Sequence, residues 1–157
     1  GARSVLDASE AHALPLNQPH ALLTVVGEKL ATVMGGSSGV LMSIMFTAAG
    51  QQLAAGASLA EALNAGLARM QHYGGAQVGD RTMIDALHPA FAALLNGDDL
   101  TRVAAAAREG ADSTNTMRSA RAGRSSYLNQ ESLDGVKDPG ACAVEKVFAA
   151  LAVAHQP

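Results

Sequence analysis

The stretch PHALLTVVGEKLATVMGGSSGVLMSIMFTAAGQQLA, residues 19–54, decides the fold. Pro19 suits the first turn of a helix, where a missing N–H costs nothing, and the helix is predicted to run to about Met34. Gly35-Gly36-Ser37-Ser38-Gly39 interrupts it, and an apolar helix follows to about Ala54. The same pattern extends outward in both directions. Apolar positions recur at i, i+3, i+4 and i+7, few segments alternate, and Pro and Gly clusters divide the chain into about seven helices. Upstream, a helix is predicted over residues 2–12. It starts at Gly1 with no capping residue ahead of it, which reads as a cut inside a longer domain, and Pro15 lies in the connection that follows. Downstream, Ser58 and Glu61 form a capping box for a helix ending near Tyr73. Residues 74–79 read as a loop, and Asp80 as the cap of a helix to about Leu95. Asp98 or Asp99 caps a long Ala-rich helix to about Ala120. Residues 123–137 form a polar loop, long enough to suggest function. Asp138-Pro139 then reads as N-cap and first position of a last helix to about Ala154. Long helices on short loops run antiparallel. No linker, low-complexity block or repeat divides residues 1–157, so the expectation is one all-α domain, an antiparallel helical bundle.

Composition agrees with this. Of 157 residues 48% are hydrophobic, which suffices for a core, and only 3% are aromatic, with no Trp. The chain is rich in Ala, the best helix former and one that lets backbones approach closely. A net charge of −3 and a charged fraction of 16% argue against nucleic acid as a partner, because a polyanion binder needs a basic stripe. One cysteine, Cys142, excludes an internal disulfide and a multi-Cys metal site. The longest apolar run, residues 40–49, is too short for a membrane span, and the N-terminus carries no signal-peptide pattern. The expected location is the cytoplasm.

Three stretches could carry chemistry. Gly35–Gly39, a Gly-rich turn running into a helix, presents unpaired backbone N–H groups and the positive end of the helix dipole, and Ser37 and Ser38 add hydroxyl donors; all of these favour a phosphate. It is not a P-loop, since no Lys follows in the required position. Taken alone, an unliganded Gly/Ser helix junction explains it as well. In Gly79-Asp80-Arg81-Thr82-Met83-Ile84-Asp85, Arg81 places a cation near a helix start, which is unfavourable unless an anion or acid stands nearby; Thr82 and Met83 could line a ligand, and the plainer account is a cap before an amphipathic helix. Third, Gly123-Arg124-Ser125-Ser126-Tyr127-Leu128 precedes Asp138-Pro139-Gly140-Ala141. Arg124 in a polar loop facing a helix N-terminus suits a phosphate clamp, while a solvated loop is the plainer account. His12, His20, His72, His88 and His155 show no metal-ligand spacing. Met34, Met42, Met45, Met70 and Met117 fall at helical spacing and read as core filler. Cys142, in the first turn of the last helix, is either a stabilised thiolate or an inert buried thiol.

The three stretches, in this order, resemble the nucleotide-binding L domain of dihydroxyacetone kinases, and the resemblance covers nearly the whole chain. It implies a barrel of antiparallel helices, eight in the family, with ATP or ADP held at one end where helix N-termini converge on the phosphates. It implies a partner K domain, in the same chain or a separate subunit, that holds dihydroxyacetone covalently on a His and receives the γ-phosphoryl of ATP. By motif, Ser37 and Ser38 contact phosphates, Gly74 lies against the nucleotide, Thr82 and Met83 flank the nucleoside, Arg124 reaches toward the phosphates, and Asp138, Pro139 and Gly140 close another side. No catalytic residue is assigned. The family's Gly-Asp-Gly-Asp-x-Gly motif, whose aspartates hold two Mg²⁺ ions, is not in this chain; Asp7, Glu10, Asp80 and Asp85 do not match it by position, so no metal ligand is assigned. Phosphoryl transfer relies on that metal, so the chain alone is expected to bind nucleotide weakly and to lack kinase activity. Other readings are an ADP-binding L subunit fed by a phosphotransferase system, and a non-catalytic helical assembly module. Fused kinases of this family commonly pair, which makes a homodimer an expectation, and the family includes a side reaction on FAD that releases cyclic FMN.

Overall fold

The computed structural model describes residues 14–117, 120 and 135–155, and every regular element among them is helical. In chain order these are α1 (Pro19–Met34), α2 (Gly36–Ala54), α3 (Leu59–Gly74), α4 (Ile84–Leu95), α5 (Leu100–Ser113), a 3₁₀ turn (Thr114–Thr116) and α6 (Pro139–Ala154). The all-α expectation is met. The helix predicted over 2–12 lies outside the described residues, as does most of the 123–137 loop. Among the described residues no helix is long and apolar enough to cross a membrane. The chain divides into two compact units, Gly1–Gly74 and Gly75–Pro157.

In the first unit α1 packs on α2 and α2 on α3. Both pairs are antiparallel, and glycines set how closely they approach. A Cβ on Gly27 would stand 3.1 Å from Phe46 Cβ, one on Gly39 2.9 Å from the Leu30 carbonyl, and one on Gly50 2.7 Å from the His20 carbonyl. A Cβ on Gly66 would run into the Met45 carbonyl. Close packing of this kind leaves room for few large side chains; the buried apolar set includes Met45, Ala49, Ala62, Leu63, Leu67 and Met70. Full burial of a Leu or Met contributes about 1.5–3 kcal/mol. Met34, expected in the core, is 37% exposed instead, because it ends α1 beside the connection. The capping box forms as predicted: the Ser58 amide donates to Glu61 Oε2 at 2.8 Å, the Ser58 hydroxyl to the same oxygen at 2.7 Å, and the Glu61 amide to Ser58 Oγ at 3.3 Å. The Ser58 hydroxyl, and then its amide, hold the Glu61 carboxyl below its ordinary value.

In the second unit α4 packs on α5, and α5 and α4 on α6. On α5 the buried residues are Val103, Ala106, Ala107, Gly110 and Ala111, a stripe with the 3.6-residue period. Asp99, one of the two caps predicted, accepts from the Arg102 amide at 2.8 Å. This helix ends earlier than expected, at Ser113, and tightens into the 3₁₀ turn. Phe91 of α4 and Phe148 of α6 meet edge to face, 6.2 Å between centroids. Pro89 lies inside α4. It has no N–H for the Asp85 carbonyl one turn back, and Gly110 of α5 packs onto that carbonyl so closely that a Cβ would collide with it.

Candidate functional site

Gly35 alone joins α1 to α2, at φ 63° and ψ 164°, a region open in practice only to glycine. Gly36, at φ 61°, opens α2. Ser37 and Ser38 are therefore helical residues of the first turn, where the sequence placed them in an interruption before the helix. The reason is that Gly35-Gly36 suffices for the reversal, so the next residues begin the helix at once. Their position strengthens the phosphate argument. The first-turn amides of a helix lack intrahelical acceptors; Gly35 offers no side chain to cap them, and the first turn carries no acidic residue. Ser37 is exposed and Ser38 half-buried. Gly74 ends α3 on the same side: its Cβ would stand 2.9 Å from Leu41 Cδ1, and Leu41 follows Ser37 by one helical turn. The first unit thus brings Ser37, Ser38 and Gly74 to one end.

The second unit gathers Thr82, Met83, Asp138, Pro139 and Gly140. Asp80 does not cap α4. Its carboxylate accepts from the Gln77 amide at 2.8 Å and closes a turn within the loop, and α4 starts four residues later. Asp85, in the first turn of α4, bonds back instead: its carboxylate, 3% exposed, accepts from the Gly79 amide at 2.6 Å and the Thr82 amide at 2.8 Å. The intervening backbone is held so tightly that Arg81 adopts φ 59°. Its side chain turns inward to 1% exposure, and Nη2 donates to the Val136 carbonyl at 2.6 Å. Thr82 and Met83 stay half-buried.

Asp138 caps α6 as predicted, accepting from the Ala141 amide at 2.9 Å. Its own amide donates to Thr114 Oγ1 at 2.9 Å, and that hydroxyl donates to the Ala111 carbonyl at 2.6 Å. The Gly135 amide donates to the Asn115 carbonyl. Gly140 faces Met83: a Cβ on it would stand 3.1 Å from Met83 Cβ and 3.0 Å from Asp138 Oδ2. Alongside, the Lys137 ammonium bridges Asp112 at 2.6 Å and Glu145 at 2.7 Å. Those bonds raise the Lys137 pKa, and the one from Lys137 lowers that of Asp112. Arg124 lies outside the described residues.

Sequence reasoning assigned no role to Asp85 beyond that of an unmatched acid, and Thr114 was not singled out. Thr114 acts over a bond to Asp138, 24 residues on, whereas Asp85 acts within its own loop, on amides three and six residues before it. The signal for Arg81 was present, a cation at an unfavourable position, but its partner 55 residues away was not visible.

The two helix starts differ in charge. The α6 start is met by its own buried carboxylate, whereas the α2 start is uncapped and has no nearby acid in its first turn. On charge alone an anion suits the α2 start better than the α6 start. Among the described residues no three His, Cys, Asp or Glu side chains stand together to hold a metal ion.

Comparison with known proteins gives a consistent picture. The DAK2 domain model matches residues 1–153. A dihydroxyacetone kinase of Citrobacter freundii is 54% identical over 152 residues, covering 96% of this chain and 28% of that protein. The crystal structure of the C. freundii kinase in its native form superposes with a TM-score of 0.84 at 48% identity, covering 98% of this chain and 27% of that one. The structure of the C. freundii kinase in complex with AMP-PNP and Mg²⁺ superposes with a TM-score of 0.81 at 46% identity, covering 98% and 26%. The chain therefore spans little more than a quarter of the length of these relatives.

Proposed function

Because this chain belongs to the DAK2 domain family, we propose that it is the nucleotide-binding domain of a dihydroxyacetone kinase. In this reading it holds ATP while the γ-phosphoryl passes to dihydroxyacetone, or a similar small ketose, on a separate substrate-binding K domain. The observation that carries the reading is the uncapped start of α2, with Ser37 exposed and no acid in the first turn, in a chain that superposes on a kinase structure whose complex contains AMP-PNP and Mg²⁺.

Each residue then has a task. The first-turn amides of α2 and the hydroxyls of Ser37 and Ser38 donate to phosphate oxygens. Gly74 lies against the nucleotide at the end of α3, its missing side chain leaving room for Leu41. Thr82 and Met83 flank the nucleoside. Asp138, Pro139 and Gly140 form with Met83 the wall that the second unit offers the nucleoside, and the capping carboxylate disfavours phosphate at that helix start. Arg124 supplies a cation to the phosphates, in keeping with its fork geometry. Magnesium would neutralise charge on the β and γ oxygens when bound.

The test is a thermal melt with and without Mg-ADP or Mg-AMP-PNP at millimolar concentration. A ligand held only by the folded state stabilises it by about 1.4 kcal/mol at ten times its Kd, so the midpoint rises. Ser38→Ala reduces the rise and leaves the unliganded midpoint nearly unchanged. A midpoint that ignores both nucleotides ends this reading. Transfer of the γ-phosphoryl to dihydroxyacetone by the full-length protein tests the kinase assignment.

A further inference from the structure

Arg81 is the largest fully buried side chain among the described residues, and the nucleotide reading gives it no contact with ligand. Its backbone is left-handed at φ 59°, a conformation unfavourable for a non-glycine residue, and burying a guanidinium adds the cost of taking a charge out of water. Two such costs at one residue persist where the surrounding structure fixes them. An apolar residue of similar volume would fill the space without the second cost, so packing alone does not account for an arginine here. What the arginine adds is reach and direction: Nη2 grips the Val136 carbonyl at 2.6 Å, across 55 residues of chain.

That carbonyl precedes Asp138 by two residues. Two residues beyond Asp138, Gly140 meets Met83, itself two residues after Arg81. Residues 136–140 are thus held at one end by the Arg81 side chain and at the other by contact with Met83. In the middle, Thr114 accepts the Asp138 amide proton. We propose that Arg81 is a positioning residue, which by holding Val136 fixes the spacing between Met83 and the Asp138-Pro139-Gly140 helix start, and through it the affinity of that wall for the nucleoside part of a nucleotide. The proposal rests on the nucleotide reading above. Arg81 touches no substrate in it and acts through the segment that it holds.

The experiment compares the wild-type chain with Arg81→Lys, Arg81→Met, Thr114→Val and Thr114→Ser. Val103→Ala, a cavity in the buried stripe of α5 far from any assigned contact, serves as a control for lost stability. Mg-ADP affinity is measured by titration calorimetry well below each melting midpoint, and amide exchange is followed at Ala141 and Cys142, whose N–H groups both bond to Asp138. Arg81→Lys keeps the charge and loses the fork, so it is expected to weaken Mg-ADP by about tenfold and to speed exchange at both amides by a similar factor. Thr114→Val gives a smaller loss, and Thr114→Ser restores wild-type binding. Val103→Ala lowers the midpoint and leaves the affinity unchanged. If Arg81→Met does not fold, the lysine and valine variants decide. Wild-type affinity in Arg81→Lys overturns the role of Arg81 alone, as does a loss in Val103→Ala that tracks its midpoint. A wild-type chain that takes up no Mg-ADP overturns the nucleotide reading itself, and the role of Arg81 in binding with it.

Discussion

Between α1, α2 and α3 the helices meet through their backbones. Gly39 lies on the Leu30 carbonyl, Gly50 on that of His20 and Gly66 on that of Met45. In the second unit the segment leading into α6 is held by polar side chains instead: Arg81 on Val136, Thr114 on Asp138, and Lys137 on Asp112 and Glu145. The first arrangement is governed by shape, since backbone cannot yield to an added methyl. The second is governed by direction, since each bond fixes one group relative to one other. A packed seam sets how near two helices stand, whereas a polar tie can position a segment that is not itself helical.

The contrast predicts how each kind of contact fails; α4 and α5 of the second unit also meet through backbone, at Gly110 and the Asp85 carbonyl. The largest effect belongs to the seam: Gly66→Val forces side-chain atoms into the Met45 carbonyl and is expected to cost about 3 kcal/mol or more, read as a fall in the urea midpoint. Next comes Asp85→Ala, which strands the Gly79 and Thr82 amides that its buried carboxylate now satisfies; the expected loss is about 2–3 kcal/mol by the same measurement. A loss as large as that of Gly66→Val would erase the distinction between the two kinds of contact. Asp138→Ala removes a helix cap and is expected to cost about 1–2 kcal/mol.

The smallest effect is Lys137→Met, and it shows mainly against pH. Asp112 has a lowered pKa, so its contribution is fully present above the ordinary carboxylate range and disappears as pH falls through the lowered value. Lys137 has a raised pKa, so its contribution is present up to the ordinary lysine range and is lost as pH rises through the raised value. The stability difference between wild type and Lys137→Met is therefore flat across neutral pH and closes at both extremes. Added salt shrinks it, because these groups are in contact with solvent. A difference that persists at low pH would show that Lys137 acts through packing of its stem.

The same contrast explains what the sequence could tell. Helices α1, α3 and α6 were legible because Pro19, the Ser58–Glu61 pair and Asp138-Pro139 are local signals, complete within four residues. The start of α4 was misread at Asp80 because its carboxylate serves the Gln77 amide, and nothing local distinguishes that use from a helix cap. The end of α5 was overrun because neither Pro nor Gly breaks residues 114–120, and the helix gives way to the turn in which Thr114 engages Asp138, 24 residues on. At the candidate site the glycines, serines and capping aspartate were readable by type. Arg81 was visible as a residue but not as a tie, since its partner Val136 lies 55 residues on; Asp85 bonds locally, to Gly79 and Thr82, but by type it reads the same as any acid in a first helical turn.

The single-residue joint at Gly35 has a consequence for sequence change. Each helical residue advances the phase by about 100°, and α2 presents Gly39 and Gly50 to α1 from a rotation set at that joint. Substituting Gly35 strains one pair of torsions, but adding or deleting a residue puts every later residue of α2 out of step with its neighbour. Natural variants of this domain should therefore show drift in side chains on either side of the joint and a constant length across it.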